Sequence, residues 1–196
     1  MCTKRSPSSV TARVVIESTG AARTCSTYWR RSNRMLPAIL NRRSVRFYRD
    51  DPVSDADITE VLKSGFCAPT GHNERAWHVV VVRDQAIKDQ LAGIHRWSKI
   101  LARVPVVIVV CVDKRKTEMW VEDGAVFMEN MMVQATSMGL GTCWVMLREE
   151  DPSGIIHKAL GIPANLAVLA GTPLGKPARH PGPHEPTIPE GRVRYL

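Results

Sequence analysis

No stretch of this 196-residue chain is apolar for long enough to cross a bilayer. The longest apolar run, Val104 to Val112 around Pro105, is about half the length a transmembrane helix needs and reads as a buried strand. Nor is there a G-x-G-x-x-G turn, a phosphate-binding P-loop or a G-x-S-x-G nucleophile elbow. Those absences argue against a resident dinucleotide domain, a P-loop NTPase and an α/β-hydrolase. The five cysteines, Cys2, Cys25, Cys67, Cys111 and Cys143, are odd in number, scattered, and form no C-x-x-C pair. That pattern suits neither a zinc site nor a disulfide framework, and fits a reducing cytoplasm. His180 and His184 read as part of a solvated Pro-rich loop. No internal repeat is visible.

Acids are nearly missing from the first 34 residues. Glu17 alone faces Lys4, Arg5, Arg13, Arg23, Arg30, Arg31 and Arg34, so this segment carries +6 of the formal +8 and leaves +2 for residues 35–196. The pI of about 9.6 therefore describes a tail, not a nucleic-acid-binding face. No hydrophobic stretch follows Arg30-Arg31, so neither a secretory nor a twin-arginine signal fits. Residues 1–34 are expected to be a disordered basic extension, either transit-peptide-like or the product of a start placed upstream of Met35.

The densest chemistry in the chain is Arg42-Arg43-Ser44-Val45-Arg46, followed by Phe47 and Tyr48, directly after the short apolar turn Leu36 to Leu40. Arginine forks suit phosphate bidentately, and a serine hydroxyl adds a short donor. In an extended chain, alternation sends Arg42, Ser44 and Arg46 to one face and leaves Arg43 on the other, in solvent. The bland alternative is a solvated basic turn.

Downstream, Ser54 caps an expected helix over 55–66, with Asp57 in the capping-box position. It ends at Cys67-Ala68-Pro69, and the loop Thr70 to Arg75 leads to a strand over 77–83. A helix over 84–94, a helical stretch over 97–103 and the buried strand from Val104 follow. The longest helix is expected over 118–138, with Val121, Ala125, Met128, Met132, Ala135 and Met138 at helical spacing. Phe127 and Val133 widen its apolar girth. Met128, Met131 and Met132 crowd its centre beyond what one small sheet is expected to cover, which points to an obligate homodimer. Gly139-Leu140-Gly141 turns into a strand over 142–147, and a helix over 152–160 and a strand over 166–171 complete an α+β domain. Asn73, between a helix end and a strand, offers a donor and an acceptor to a planar heterocycle. Trp144 is by default a core aromatic.

These pieces, in this order, resemble the FMN-dependent nitroreductase family over about residues 35–173. The marks are Arg42 to Arg46 with Asp51-Pro52-Val53, Ala68-Pro69-Thr70-Gly71-His72-Asn73 with Trp77, the 123–130 part of the long helix, Gly139 to Trp144, and Gly171-Thr172-Pro173. The resemblance implies a mixed central sheet flanked by helices, two chains interlocked through the long helix, and FMN in a cleft at the dimer interface. Residues 174–196 are set apart as a Pro-rich tail. The candidate cofactor residues are Arg42, Arg43, Ser44, Arg46, Asn73, Trp144, Val145 and Met146. By the resemblance Arg42 and Ser44 hold the 5′-phosphate, Arg46 sits near flavin N1 and O2, Asn73 meets the pyrimidine edge, and Val145-Met146 offers backbone N–H to N5. No general acid or base and no metal is assigned.

The implied activity passes electrons from NAD(P)H, a transient co-substrate, through flavin N5 to a nitroaromatic, quinone or similar small acceptor. A fixed cation beside N1 suits that chemistry, because reduction leaves negative charge there. A specialised relative, dehalogenating or azoline-oxidising, is the alternative within the fold. A different class is a binding protein using its basic tail on RNA or membranes. A cytoplasmic enzyme with neither nucleic-acid nor membrane partner is expected. Four departures qualify the match: Glu74-Arg75-Ala76 precedes Trp77, Met146-Leu147 stands where small residues are common, the segment from Arg83 to Val104 is short, and the tail diverges. The last leaves the second phosphate contact open among Lys176, Arg179, Arg192 and Arg194.

Overall fold

The apolar run becomes the middle of a sheet. A computed structural model describes residues 35–147 and 154–196; the basic extension over 1–34 and the expected helix start at Pro152 lie outside the described residues. Strand β3 (Val106–Asp113) is buried at every position. It pairs antiparallel with β2 (Trp77–Val82) on one side and β6 (Leu166–Gly175) on the other. Beyond β6 lie two short strands, β4 (Gly141–Thr142) and β5 (Val145–Met146), both antiparallel to it. A parallel contact comes from an isolated bridge between Ser44 and Thr142.

Both faces of the sheet are covered, which is why β3 shows no polar alternation. Val106, Ile108, Val110 and Val112 point into one cluster with Phe127, Met128 and Met131. Val107, Val109 and Cys111 point into the other with Leu91, Leu101 and Ile156. The first layer is α2 (Asp55–Gly65) and α4 (Trp120–Ser137). Ser54 caps α2 as expected, its Oγ accepting from Asp57 N at 3.1 Å. The two helices approach closely at Gly65, where a Cβ would lie 2.6 Å from the Phe127 ring. The second layer is α3 (Gln85–Ala92), a 3-10 turn over Ser98–Arg103 and α5 (Ile155–Leu160).

Several expectations are corrected. Leu36 to Leu40 is not a turn but leads into α1 (Pro37–Asn41), with Pro37 in the first turn, where its missing N–H costs nothing. The strand over 142–147 breaks at Cys143-Trp144 into β4 and β5. The strand over 166–171 runs on to Gly175, because Leu174 pairs with both Val106 and Thr142. The chain then enters β7 (Pro177–Arg179), which pairs with β1 (Phe47–Tyr48). Met128, Met131 and Met132 need no second chain to cover them: they are at most 3 % exposed within one chain, packed between α2 and the sheet. Among the apolar residues left in solvent are Met35, Leu36 and Ile39 around α1, Phe66 after α2, and Met119 and Val126 of the α4 region.

Candidate active site

After α1 ends at Asn41, the chain runs extended from Arg42 and joins the sheet edge. Ser44 bridges Thr142, and Val45 N donates to Thr142 O at 2.9 Å. Val45 is buried against Gly141, where a Cβ would come within 2.9 Å of its side chain, so glycine is required for this approach. With Val45 turned inward, its neighbours turn toward the Cys143 thiol. Burial pushes that thiol above its ordinary range, while Arg46, the hydrogen bond with Ser44, and Arg42 pull the other way. The charges of Arg42 and Arg46 are thus felt at the thiol, and Arg46 shares the lining of one cleft with Cys143. Arg42 also pairs through Nε with Glu129 of α4 at 3.2 Å, and Arg46 makes one long contact, Nη1 to Ser44 O at 3.4 Å.

Arg43 departs from the expectation that it stays in solvent. Its Nη1 donates to Gly182 O at 2.7 Å and Pro183 O at 3.1 Å, and it is half-buried. His180 Nε2 reaches Asn41 O at 3.0 Å, and His184 N donates to Leu40 O at 2.7 Å. The face of the segment opposite Ser44 is therefore used to hold the C-terminal chain.

Beside this segment opens a cleft of about 1050 Å³. One wall is Arg46, Phe47 and Tyr48 with Cys143, Trp144, Val145 and Met146; the other is residues 95–103. Trp144 is half-buried, Val145 buried and Met146 exposed at the rim. Tyr48 donates to Val45 O at 2.8 Å, and its phenol is pushed upward by burial, so it stays protonated. His95 ties the two walls: its Nε2 lies 2.7 Å from Met146 O. Lys176 is turned toward Asp51 at 3.9 Å, and Arg179 stands in register with Phe47.

Asn73 lies elsewhere. Its loop, a 3-10 turn over Gly71–Asn73, precedes β2, whose first residue pairs with Val112, while Asp113 N donates to Ala76 O at 2.9 Å. Ser44 adjoins the opposite end, where Thr142, Leu174 and Val106 stand in register. Between those ends β3 rises roughly 23 Å. His72, Asn73 and Arg75 have φ of 52°, 59° and 48°, a region that asparagine tolerates better than most residues. The loop hangs on buried Asp123 of α4, which accepts from Gly71 N at 2.9 Å, Thr70 Oγ1 at 3.2 Å and Thr117 Oγ1 at 3.1 Å. Asn73 Oδ1 accepts from Arg75 Nε at 3.1 Å and its side chain is exposed. One chain therefore sets Arg46, Trp144, Val145 and Met146 on one cleft, with Ser44 beside it through its bridge to Thr142, but not Asn73.

Residues 39–98 and 95–176 match the sequence model of the Nitroreductase family. The chain belongs to that family. A provisionally named NADH dehydrogenase/NAD(P)H nitroreductase of Archaeoglobus fulgidus is 34% identical over 147 residues, which cover 72% of this chain and 84% of that one. The solved FMN-dependent nitroreductase of Clostridium difficile R20291 superposes with a TM-score of 0.77 at 25% identity, covering 82% of this chain and 98% of that one. A provisionally named nitroreductase from Desulfovibrio desulfuricans, solved in complex with FMN, gives a TM-score of 0.70 at 30% identity over 78% of this chain and 90% of that one.

Within this nitroreductase fold, three participants escaped sequence reasoning. Asp123 was visible only as part of a helix, although an acid in a first helical turn favours the positive helix end. Cys143 looked like one scattered cysteine among five. His95 carries no local signal at all, because its partner Met146 is 51 residues away.

Proposed function

We propose that this nitroreductase-family chain is an FMN-dependent oxidoreductase that takes electrons from NAD(P)H and passes them to a nitroaromatic, quinone or similar small acceptor. The observation that carries the reading is a cleft large enough for a flavin and a visiting ring, lined by Arg46 and by Trp144, Val145 and Met146, with Ser44 bridged to Thr142 beside it. The donor set fits FMN. Arg42 spends only Nε on Glu129, leaving its terminal nitrogens for a phosphate beside the Ser44 hydroxyl. Arg46, without a carboxylate partner among the described residues, supplies a positive charge to the cleft. The pair Val145-Met146 forms a fixed strand edge, and Trp144 an apolar wall. Arg43, committed to Gly182 and Pro183, holds the frame rather than the cofactor.

Bound FMN would supply a two-electron carrier that takes hydride from one ligand and returns it to the next. The chain's part is to stack that ligand, exclude water and keep a cation where negative charge grows. Asn73 takes part through a second copy: a homodimer that sets the Asn73 loop of one chain against the Arg46 end of the other completes the site and covers Met35, Leu36, Ile39 and Phe66. The test is the spectrum and flavin content of the purified protein, followed by anaerobic addition of NADPH or NADH. A yellow protein bleached by either is expected. Protein that binds no added FMN, or holds it without being reduced by either nucleotide, overturns the reading.

A further inference from the structure

The family match covers the two walls of the cleft differently. Residues 46–48 and 143–146 lie inside stretches where the family match runs unbroken, whereas its two pieces meet and overlap over residues 95–98. That junction falls at the start of the second wall, residues 95–103, whose remainder lies inside the second matched piece. That wall is a built structure. His95 Nδ1 accepts from Trp97 N and Ser98 N, both at 3.1 Å, so the ring proton sits on Nε2 and is donated to Met146 O. Buried Ser98 Oγ accepts from His95 N at 3.0 Å and lies 2.7 Å from His95 O, and Leu101 is fully buried beneath the turn.

From this fixed lip Arg96, Trp97, Lys99 and Arg103 line the cleft mouth. Trp97 is 68 % exposed, and the Arg96 guanidinium carbon lies 4.3 Å from its ring centroid. Among the described residues Arg96, Lys99 and Arg103 have no carboxylate partner, and Asp50 is the one acid lining the cleft. Structural cations on a surface are commonly answered by nearby acids; three with no such partner among the described residues, beside one opening, make a field that draws anions in. An aromatic face stiffened by a stacked guanidinium gives a planar ligand something to lie on.

We propose that this lip makes the enzyme selective for substrates that carry a phosphate or carboxylate away from their reacting ring. The proposal rests on the flavin-site reading above. Two sources supply such a group: the 2′-phosphate that separates NADPH from NADH, and an acidic substituent on an aromatic acceptor.

The test uses the flavin-loaded full chain and its Arg96→Gln/Lys99→Gln/Arg103→Gln variant; all three side chains are exposed, so the fold is retained. Stopped-flow reduction by NADPH is compared with reduction by NADH, and reoxidation by 4-nitrobenzoate with reoxidation by neutral 4-nitrobenzyl alcohol, at low and high ionic strength. In the wild type at low salt, the more highly charged member of at least one pair (NADPH or 4-nitrobenzoate) should show an apparent dissociation constant roughly tenfold lower, the sum of three modest exposed contacts. That ratio should fall toward one in the triple variant and in high salt, with limiting rates changing less than about twofold. The pair that shows it identifies the source. Ratios near one for both pairs in the wild type, or ratios that survive the triple substitution, overturn the proposal. Failure to bind flavin at all would appear before any ratio is measured, and would overturn the functional reading together with this inference.

Discussion

Two short segments are expected to meet the same cofactor, yet they are held by opposite means. The 42–48 segment is fixed by its backbone: a bridge to Thr142, the Val45 N–H bond, a buried Val45 and the β1–β7 pairing. The 70–75 loop has no strand partner. It is shaped by three left-handed non-glycine residues and hangs from one carboxylate, Asp123. The first can be read from alternation in the sequence. The second depends on a residue some 50 positions away and, as proposed, on a second chain to reach the cofactor. A comparison of the two therefore asks whether position comes from the backbone or from a single side chain.

The largest expected effect breaks the symmetry between them. Arg42→Ala leaves a phosphate without its fork, a loss on the order of 2–5 kcal/mol in flavin binding, read as a dissociation constant raised by tens to thousands of times. Asn73→Ala should cost less, being one neutral hydrogen bond, about 1 kcal/mol. The two variants refolded together give the sharper result. If Asn73 acts on the partner's site, a mixed dimer holds one intact site and one doubly damaged site. Random mixing then restores tight flavin binding to about a quarter of the sites. No restoration would mean that both residues serve the same chain's site, against the distance between them.

How much of this was legible follows from the same contrast. Alternation after Arg42 was readable because a strand has period two, and the structure turns Val45 inward while leaving Arg46 exposed at the cleft. Arg43 was misread because its partners, Gly182 and Pro183, lie 139 and 140 residues away in a segment without apolar pattern. The core strand was visible as an apolar run, since burial on both faces removes alternation. The methionines of α4 were misjudged because helical periodicity reports girth, not what covers it. Sequence could not show that Asn73 and Arg46 occupy opposite ends of the sheet. That fact depends on the register of β2, β3 and β6, which local pattern does not encode.

Asp123 offers the next largest effect. Asp123→Ala strands three donors near α4, with an expected cost of about 2–4 kcal/mol in unfolding free energy. Because the contacts are local, amide exchange should rise at residues 70–76 and stay unchanged at 44–48. Equal loosening of both segments would mean that Asp123 supports the whole domain, and that the loop is not separately suspended.

The smallest effect tests the backbone itself. His72 is exposed, makes no hydrogen bond among those described and holds φ at 52°, where an L side chain costs on the order of 1 kcal/mol. His72→Gly removes that cost but adds unfolded-state entropy of about 0.5–1 kcal/mol, so stability should stay within roughly 0.5 kcal/mol of wild type. Ser44→Gly meets the same entropy with no strain to relieve, in a segment that runs extended against β4. In flavin-free protein it should destabilise by about 0.5–1 kcal/mol. Both are measured by urea unfolding at one fixed protein concentration, since association would shift the midpoint. A His72→Gly loss equal to that of Ser44→Gly would mean that the loop's left-handed backbone carries no relievable strain, and would remove the difference between the two segments.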